Sequence, residues 1–383
     1  MPSIAVLGCT GSIGDTVFRV LEGLGDAYRV IGLAGGNQVD KLVDRARRWQ
    51  PRIVSVGATE RIGEVAAALP GTRVVGGQEG LQEVAGDPAV ELVINGLVGA
   101  VGLRPTLTAL QSGRSVAMAN KEPLVMAGDL LMHAAAVGGA ELLPLDSEPN
   151  ALWQCLRGED PRSLERLLLT ASGGPFYGCR REALRQVDPG AALAHPTWSM
   201  GAKISVDSAT MMNKGFEVIE ACWLFGVAPD QVDVVIHRES VVHSMVEYCD
   251  GTIVAHLGKT DMALPIQYAL TQPERRPSTV ARLDLVALGS IHFAAPDHEA
   301  FPCLNLCYHA ARQGGAAPVA LNAADEAAVE AFLNRRVGFL DIERINTDVM
   351  AAAPAGKPAS LEDVLEIDTW ARAYAAERIE RLD

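Results

Sequence analysis

The chain has 383 residues, 49% of them apolar and 21% charged, a globular composition that excludes a disordered polypeptide. Its 33 Lys+Arg against 47 Asp+Glu give a net charge of −14, which argues against general binding to nucleic acid or anionic membranes. No stretch approaches the roughly 18 uninterrupted apolar residues of a membrane helix; residues 91–103 come nearest, and Asn95 and the glycines interrupt them.

The first 150 residues alternate short β-type runs with helical patterns. Strands are expected at 3–8, 29–34, 52–56, 72–75, 91–94, 115–118 and 141–145, and helices at 13–24, 39–49, 60–69, 78–85, 103–111 and 124–137. Such alternation predicts a parallel sheet covered on both faces, with ligands bound beyond the carboxyl ends of the strands. The unusual polar chemistry falls at those ends: Gly8, Gly35-Gly36-Asn37, Gly96, Asn120-Lys121-Glu122 and Asp146-Ser147-Glu148.

Gly8-Cys9-Thr10-Gly11-Ser12-Ile13-Gly14 joins the first strand to the first helix. Small residues there let a diphosphate approach backbone N–H groups at a helix N-terminus, so a dinucleotide is the expected ligand. The Leu7-Gly8-Cys9 string resembles a lipobox, but no basic segment precedes it and the apolar run is too short, so it reads as a strand of a cytoplasmic protein. The second strand ends in Leu33-Ala34-Gly35-Gly36-Asn37, without the acidic residue that would hold an NAD ribose, which favours NADP(H). Arg45, Arg47 and Arg48 lie further on, on a helix whose solvated side they fit.

Asp146 and Glu148 follow a strand, and in an extended chain residues i and i+2 share a face. With Glu217 they form an all-oxygen set suited to Mg²⁺ or Mn²⁺. A surface acidic turn and a helix-start glutamate fit the same residues. Ser172-Gly173-Gly174-Pro175-Phe176, Ser208 and Met212-Asn213-Lys214-Gly215 offer hydroxyl, amide and ammonium donors suited to a phosphate monoester. Between them, 194–202 (AHPTWSMGA) reads as a lid that excludes water.

Residues 232–236 and 240–246 suggest a mostly antiparallel sheet, with His237, His243 and His256 as hydrogen-bonded sheet residues. Residues 271–278 read as a linker, 304–311, 318–334 and 361–382 as helices, and Ser360 with Asp363 as a capping box. The seven cysteines are scattered and lack C-x-x-C spacing, so reduced thiols are expected. Helical i, i+4 packing accounts for Cys303 and Cys307, near His309, as well as metal binding does.

The chain resembles the 1-deoxy-D-xylulose 5-phosphate reductoisomerase family in GCTGSIG at 8–14, ANKE at 119–122, LPLDSE at 143–148 and SGGPF at 172–176. The likeness continues through HPTWSMGAKISVDSATMMNKGFE at 195–217 and LNAADEAAV at 321–329. The segments run in family order over essentially the whole chain. The resemblance implies an α/β protein with a Rossmann-like NADPH-binding domain at 1–146, a central α+β catalytic domain at 147–290 and a C-terminal helical bundle within 291–383.

It also implies roles. Thr10, Gly11, Ser12, Ile13, Gly35, Gly36, Asn37, Asn120, Glu122 and Gly201 are expected at NADPH. Asp146, Glu148 and Glu217 are expected at Mg²⁺ or Mn²⁺, and are expected to be catalytic together with Lys121. Lys121, Ser147, Glu148, Ser172, His195, Trp198, Met200, Ser208, Asn213, Lys214 and Glu217 are expected at a phosphorylated sugar, with Trp198 and Met200 in the lid. The expected reaction is conversion of 1-deoxy-D-xylulose 5-phosphate to 2-C-methyl-D-erythritol 4-phosphate, by retro-aldol cleavage, re-aldolisation and hydride transfer, in a cytoplasmic homodimer. Pro123, Pro149 and Gly36 depart from the family pattern, and Gly36 stands where a basic residue is usual. The residues alone also fit a metal-free NADP-dependent aldehyde or semialdehyde dehydrogenase, or a non-catalytic NADP(H) sensor.

Overall fold

The computed structural model describes residues 1–198 and 200–382; Ser199 of the expected lid and Asp383 lie outside the described residues. The chain forms two compact units. The first comprises Met1–Pro123, Asp129–Asn150 and Asp261–Ala281, and the second Leu124–Gly128, Ala151–Thr260 and the chain from Arg282 onward.

The first unit is built on seven strands: β1 (Ser3–Leu7), β2 (Arg29–Gly35), β3 (Ile53–Val56), β4 (Arg73–Gly76), β5 (Leu92–Asn95), β6 (Ser115–Met118) and β7 (Leu142–Pro144). All neighbours are parallel, in the order β4-β3-β2-β1-β5-β6-β7. Ile4, Ala5, Val6 and Leu7 are all essentially inaccessible to solvent, because helices cover both faces of such a sheet and each strand must be apolar throughout. Strand order reverses between β1 and β5, which makes their carboxyl ends the switch point. The helix Ala263–Thr271, remote in sequence, packs against Ser12–Leu24, with Arg19 paired to Asp261 and the Tyr28 hydroxyl donating to the Leu270 carbonyl. Residues 273–284, covering most of the expected linker, have no regular structure.

The second unit carries β8 (Leu164–Ala171), β9 (Val232–Ile236), β10 (Val242–Tyr248) and β11 (Ile253–Leu257), in the order β11-β10-β8-β9. β10 is antiparallel to both neighbours and β9 runs parallel to β8, so the sheet is mixed, with two of its three pairings antiparallel as expected. The long helical excursion between β8 and β9 returns the chain to the end where β8 began, as a parallel pair requires. Leu167, Leu169, Val234 and Val246 share one core with Phe332, Phe339, Ile342 and Ala375 of the C-terminal helices. Those helices are Cys303–Gln313, Ala317–Leu333, Phe339–Ala351 and Leu361–Glu380; Phe339–Ala351 was not anticipated from the sequence. The Ser360–Asp363 capping box forms as expected.

One local expectation is corrected. Ser147 and Glu148 are not extended: they open the helix Ser147–Cys155, so no strand alternation relates Asp146 to Glu148. Beyond the expected lid, the polar stretch up to 217 contains the helix Ala202–Thr210 and the start of Met212–Phe225, separated by Met211 in left-handed conformation at φ 65°. Cys303 and Cys307 are buried one helical turn apart, Cys307 Sγ lies 3.3 Å from Met212 Sδ, and burial pushes both thiols well above the ordinary range. They are packing residues.

Candidate active site

In the first unit, the chain leaves β1 through Gly8 at φ +74°, where a Cβ would come within 2.5 Å of the Gly96 carbonyl oxygen beyond β5. Only glycine permits that approach, and it narrows the switch point at the mouth of the loop. The Gly11 N–H donates to Gly8 O at 3.0 Å, and Gly11 and Ser12 are exposed at the start of the helix Ser12–Leu24. Thr10 is buried, and its carbonyl accepts from Lys41 Nζ at 2.9 Å. The same ammonium reaches Asp15 Oδ2 at 2.8 Å, and Arg45 also pairs with Asp15. Burial of Asp15 would raise its pKa, but bonds from Lys41 and Arg45 outweigh it and hold the carboxyl below the usual range. Cys9 behind the loop is inert, since burial pushes its thiol up to about 12.

Gly36 and Asn37 are exposed at the end of β2, and Gly35 is buried. No arginine stands at this turn. Arg45 is engaged with Asp15, Arg47 with the Ala68 carbonyl and Arg48 with Glu22. Lys41 is the cation nearest the glycine loop by these contacts; its place five residues beyond Gly36, on the first turn of a helix, was a readable signal that sequence reasoning missed. Asn120 is buried and donates to Gly99 O at 3.2 Å, while Glu122 is buried at the start of the helix Glu122–Gly138.

Lys121 caps that helix and is buried, with Nζ 2.8 Å from Asp146 Oδ2. Asp146 accepts the Ser147 N–H at 2.9 Å, and the Ser147 hydroxyl donates to Glu148 Oε2 at 2.5 Å. The helix start therefore sets both carboxylates, in place of a strand's alternation.

In the second unit, β8 ends at Ala171 and Ser172 opens the small-residue turn. Gly174 has φ +68°, and a Cβ there would come 2.6 Å from Ser208 O, so the turn lies directly on the helix that carries Ser208. His195 Nδ1 accepts N–H bonds from Thr197 at 3.3 Å and Trp198 at 3.0 Å. In the neutral ring the proton is then on Nε2, which donates to Ser172 Oγ at 3.0 Å. Ser172 Oγ also accepts from the Gly174 N–H at 3.2 Å, so its own hydrogen is left to donate onward. Burial, with the charge of Arg238, lowers the His195 pKa. Trp198 and Met200 are half-buried, and Gly201 caps the helix Ala202–Thr210.

Asn213 and Lys214 lie in the first turn of Met212–Phe225, and Glu217 one turn on. The Lys214 ammonium pairs with Glu217, whose other oxygen accepts from Asn213 Nδ2 at 2.6 Å. Lys203 ties this region to the C-terminal helices, 2.6 Å from Asp207 and 3.2 Å from buried Asp325. His237 accepts N–H bonds from Val241 and Val242, and His243 is hydrogen-bonded to Gly258 O, so both are satisfied sheet-end residues.

Asp146 and Glu148 belong to the first unit and Glu217 to the second. Each offers a carboxylate, and an all-oxygen set is one that hard divalent ions accept.

Fold and glycine loop define an α/β protein of the dinucleotide-binding class. Family profiles agree along the chain: 1-deoxy-D-xylulose 5-phosphate reductoisomerase over residues 4–128, its C-terminal domain over 142–225, and the DXP reductoisomerase C-terminal domain over 257–374. The chain is 47% identical over 380 residues to the 1-deoxy-D-xylulose 5-phosphate reductoisomerase of Bacillus cereus (strain Q1), covering 99% of this chain and 100% of that one. With the Pseudomonas savastanoi pv. phaseolicola enzyme it shares 49% over 387 residues, covering 99% and 98%. A solved DOX-P reductoisomerase in complex with NADPH, fosmidomycin and magnesium superimposes with a TM-score of 0.95 at 42% identity, over 99% of this chain and 98% of that one. The Zymomonas mobilis enzyme in complex with NADPH gives 0.93 at 40%, over 99% of each. The chain belongs to the 1-deoxy-D-xylulose 5-phosphate reductoisomerase family.

Proposed function

We propose that this chain converts 1-deoxy-D-xylulose 5-phosphate to 2-C-methyl-D-erythritol 4-phosphate in the cytoplasm, using NADPH and Mg²⁺ or Mn²⁺, in the non-mevalonate route to isoprenoids. The observation that carries the reading is the end-to-end match, 47% identity over 99% of this chain and the whole of a relative of that activity. The all-oxygen chemistry of Asp146, Glu148 and Glu217 fits the metal, and the switch-point loop supports the dinucleotide.

When bound, the cation supplies Lewis-acid stabilisation of charge on substrate oxygens, and NADPH supplies the hydride. The protein's own residues do the rest. Asp146, Glu148 and Glu217 hold the cation. Lys121, held at Asp146, places a positive charge where substrate oxygens gain negative charge during retro-aldol cleavage and re-aldolisation. Ser172, Ser208, Asn213 and Lys214 grip the phosphate away from the breaking bond, so that binding energy orients the reacting fragments. Trp198 and Met200 exclude water from the cleaved carbon skeleton. Thr10 to Ile13, Gly35 to Asn37, Asn120, Glu122 and Gly201 receive the cofactor.

We also propose a homodimer. Edge strand β11 exposes Ile253, Val254 and Leu257, and Leu285, Val286 and Phe293 are exposed in the same unit. Beside them a groove of about 770 Å³ is lined in part by Val234, Met245, Ile253 and Phe293. Seven free cysteines fit a reducing compartment, and no helix among the described residues is long and apolar enough to cross a membrane.

The test follows NADPH absorbance with 1-deoxy-D-xylulose 5-phosphate. Consumption is expected with divalent ion and is lost on chelation; NADPH binding without consumption would make the chain a sensor. Glu217→Gln is expected to lower turnover by about 100-fold or more while leaving the NADPH Kd unchanged. A near-normal rate for that variant at low metal would remove Glu217 from the metal site.

A further inference from the structure

Arg238 belongs to none of the segments singled out above. It lies two residues beyond β9, whose parallel register with β8 sets Ile236 beside Ala171. Both strands thus end together, and Arg238 emerges beside the turn opened by Ser172. Its Nη1 donates to Ser172 O at 2.8 Å and to Gly174 O at 2.7 Å. The guanidinium lies 5.1 Å from the centre of the Tyr177 ring, a further hold on its position. Among the described residues no carboxylate pairs with it, since neighbouring Glu239 is engaged by His292 and His237.

Two consequences follow from peptide geometry and charge. In a trans peptide the C=O and the following N–H point opposite ways. Arg238 on the Ser172 carbonyl therefore turns the Gly173 N–H to the other side of the turn. Among the described residues its charge has no ion-pair partner, so it acts on the groups around it.

We infer that Arg238 is a positioning residue of the phosphate grip, clamping the two carbonyls of the 172–174 turn so that the Ser172 hydroxyl is presented as a donor, and adding uncompensated positive charge behind it. This rests on the phosphate reading above. The ligand class is a phosphate or phosphonate monoester, and the grip contains four other donors, Ser172, Ser208, Asn213 and Lys214.

The test uses the full chain with NADPH and divalent ion, comparing wild type, Arg238→Ala and Arg238→Lys. If wild type does not consume NADPH with 1-deoxy-D-xylulose 5-phosphate, the functional reading itself falls. If it does, Arg238→Ala is expected to raise KM by about tenfold with a much smaller change in kcat, and to leave the NADPH Kd unchanged. Arg238→Lys keeps the charge but loses the planar guanidinium that aims both N–H bonds of Nη1 at the two carbonyls, so its KM should fall between the two. The His195 imidazole, followed by NMR titration, should titrate higher in Arg238→Ala and stay near wild type in Arg238→Lys. A KM within twofold of wild type in both variants would overturn the inference. So would equal losses in KM, kcat and NADPH affinity, which mark a general folding defect. Should Arg238→Ala not fold, Arg238→Lys decides: a KM raised about threefold or more supports the clamp, and an unchanged KM refutes it.

Discussion

At Ser172 one hydroxyl oxygen takes two hydrogen bonds, from the His195 ring and the Gly174 amide, which fixes where its remaining hydrogen can go. That arrangement holds only while His195 is neutral. Protonated, Nδ1 becomes a donor and can no longer accept from Thr197 and Trp198. Burial first, and the Arg238 charge second, lower this pKa from the ordinary value of 6.5. The sign follows. The neutral ring's contribution to stability is fully present above 6.5 and is lost as pH falls through the lowered folded value. On the proposed function, KM for the phosphorylated substrate should rise on the acid side as the lid-side contacts break. The substrate phosphate titrates near pH 6 as well, so the control is His195→Asn, which retains a donor and an acceptor but does not ionise. The acid rise in KM should be shallower in the variant; an identical pH profile in both proteins would assign the effect to the substrate alone.

Elements differ in how plainly the sequence declares them, and the reason is what each buries. The helices within the first 138 residues bury apolar faces, and their periodicity marks their ends within a residue or two, whereas Ala263–Thr271 was not anticipated. Ala202–Thr210 and Met212–Phe225 bury Ser205, Asp207, Thr210, Lys214, Glu217 and Glu220 alongside Val206, Phe216, Val218 and Ile219. Polar residues carrying the site and its ion pairs are interleaved with the apolar ones, and this blurs the hydrophobic pattern that signals a helix. Asp146-Ser147-Glu148 misleads differently, since three residues cannot reveal whether a strand has just ended. Phe339, Ile342, Ile345 and Val349 did carry a readable three-to-four-residue spacing, and all are buried on Phe339–Ala351. Arg238 gave no sequence signal, because what it touches is set by the pairing of β8 with β9. At the other end of the scale Ser360 is fully legible: its hydroxyl accepts the Asp363 N–H at 3.1 Å, and Asp363 returns a bond to the Ser360 N–H at 3.1 Å. Ser360→Ala should cost about 1 kcal/mol of unfolding free energy, read from a denaturant midpoint, with activity unchanged. A shift near zero would mean that Leu361–Glu380 is held by packing alone.

For the whole molecule the open quantity is its state of association, and two features of the chain push it in opposite directions. The second unit exposes Val286 at 92%, Leu285 at 61% and Phe293 at 45%, and its edge strand β11 exposes Ile253 at 50%; an exposed apolar surface and edge favour pairing with another chain. Each chain also carries a net charge of −14, so two copies repel through solvent. If apolar burial drives the proposed dimer, screening the repulsion must tighten it; the screening length falls from about 30 Å at 0.01 M salt to about 8 Å at 0.15 M. A dimer held mainly by ion pairs would loosen over the same range. Light scattering at low protein concentration should therefore give a mass rising toward twice the 40.6 kDa of one chain as salt is added. Ile253→Lys, which sets a charge on the exposed edge, should shift the mass toward that of a single chain and leave the NADPH Kd unchanged. A wild-type mass of one chain at every salt concentration would refute the dimer, and a mass that falls with salt would transfer its stability from the apolar edge to charged groups.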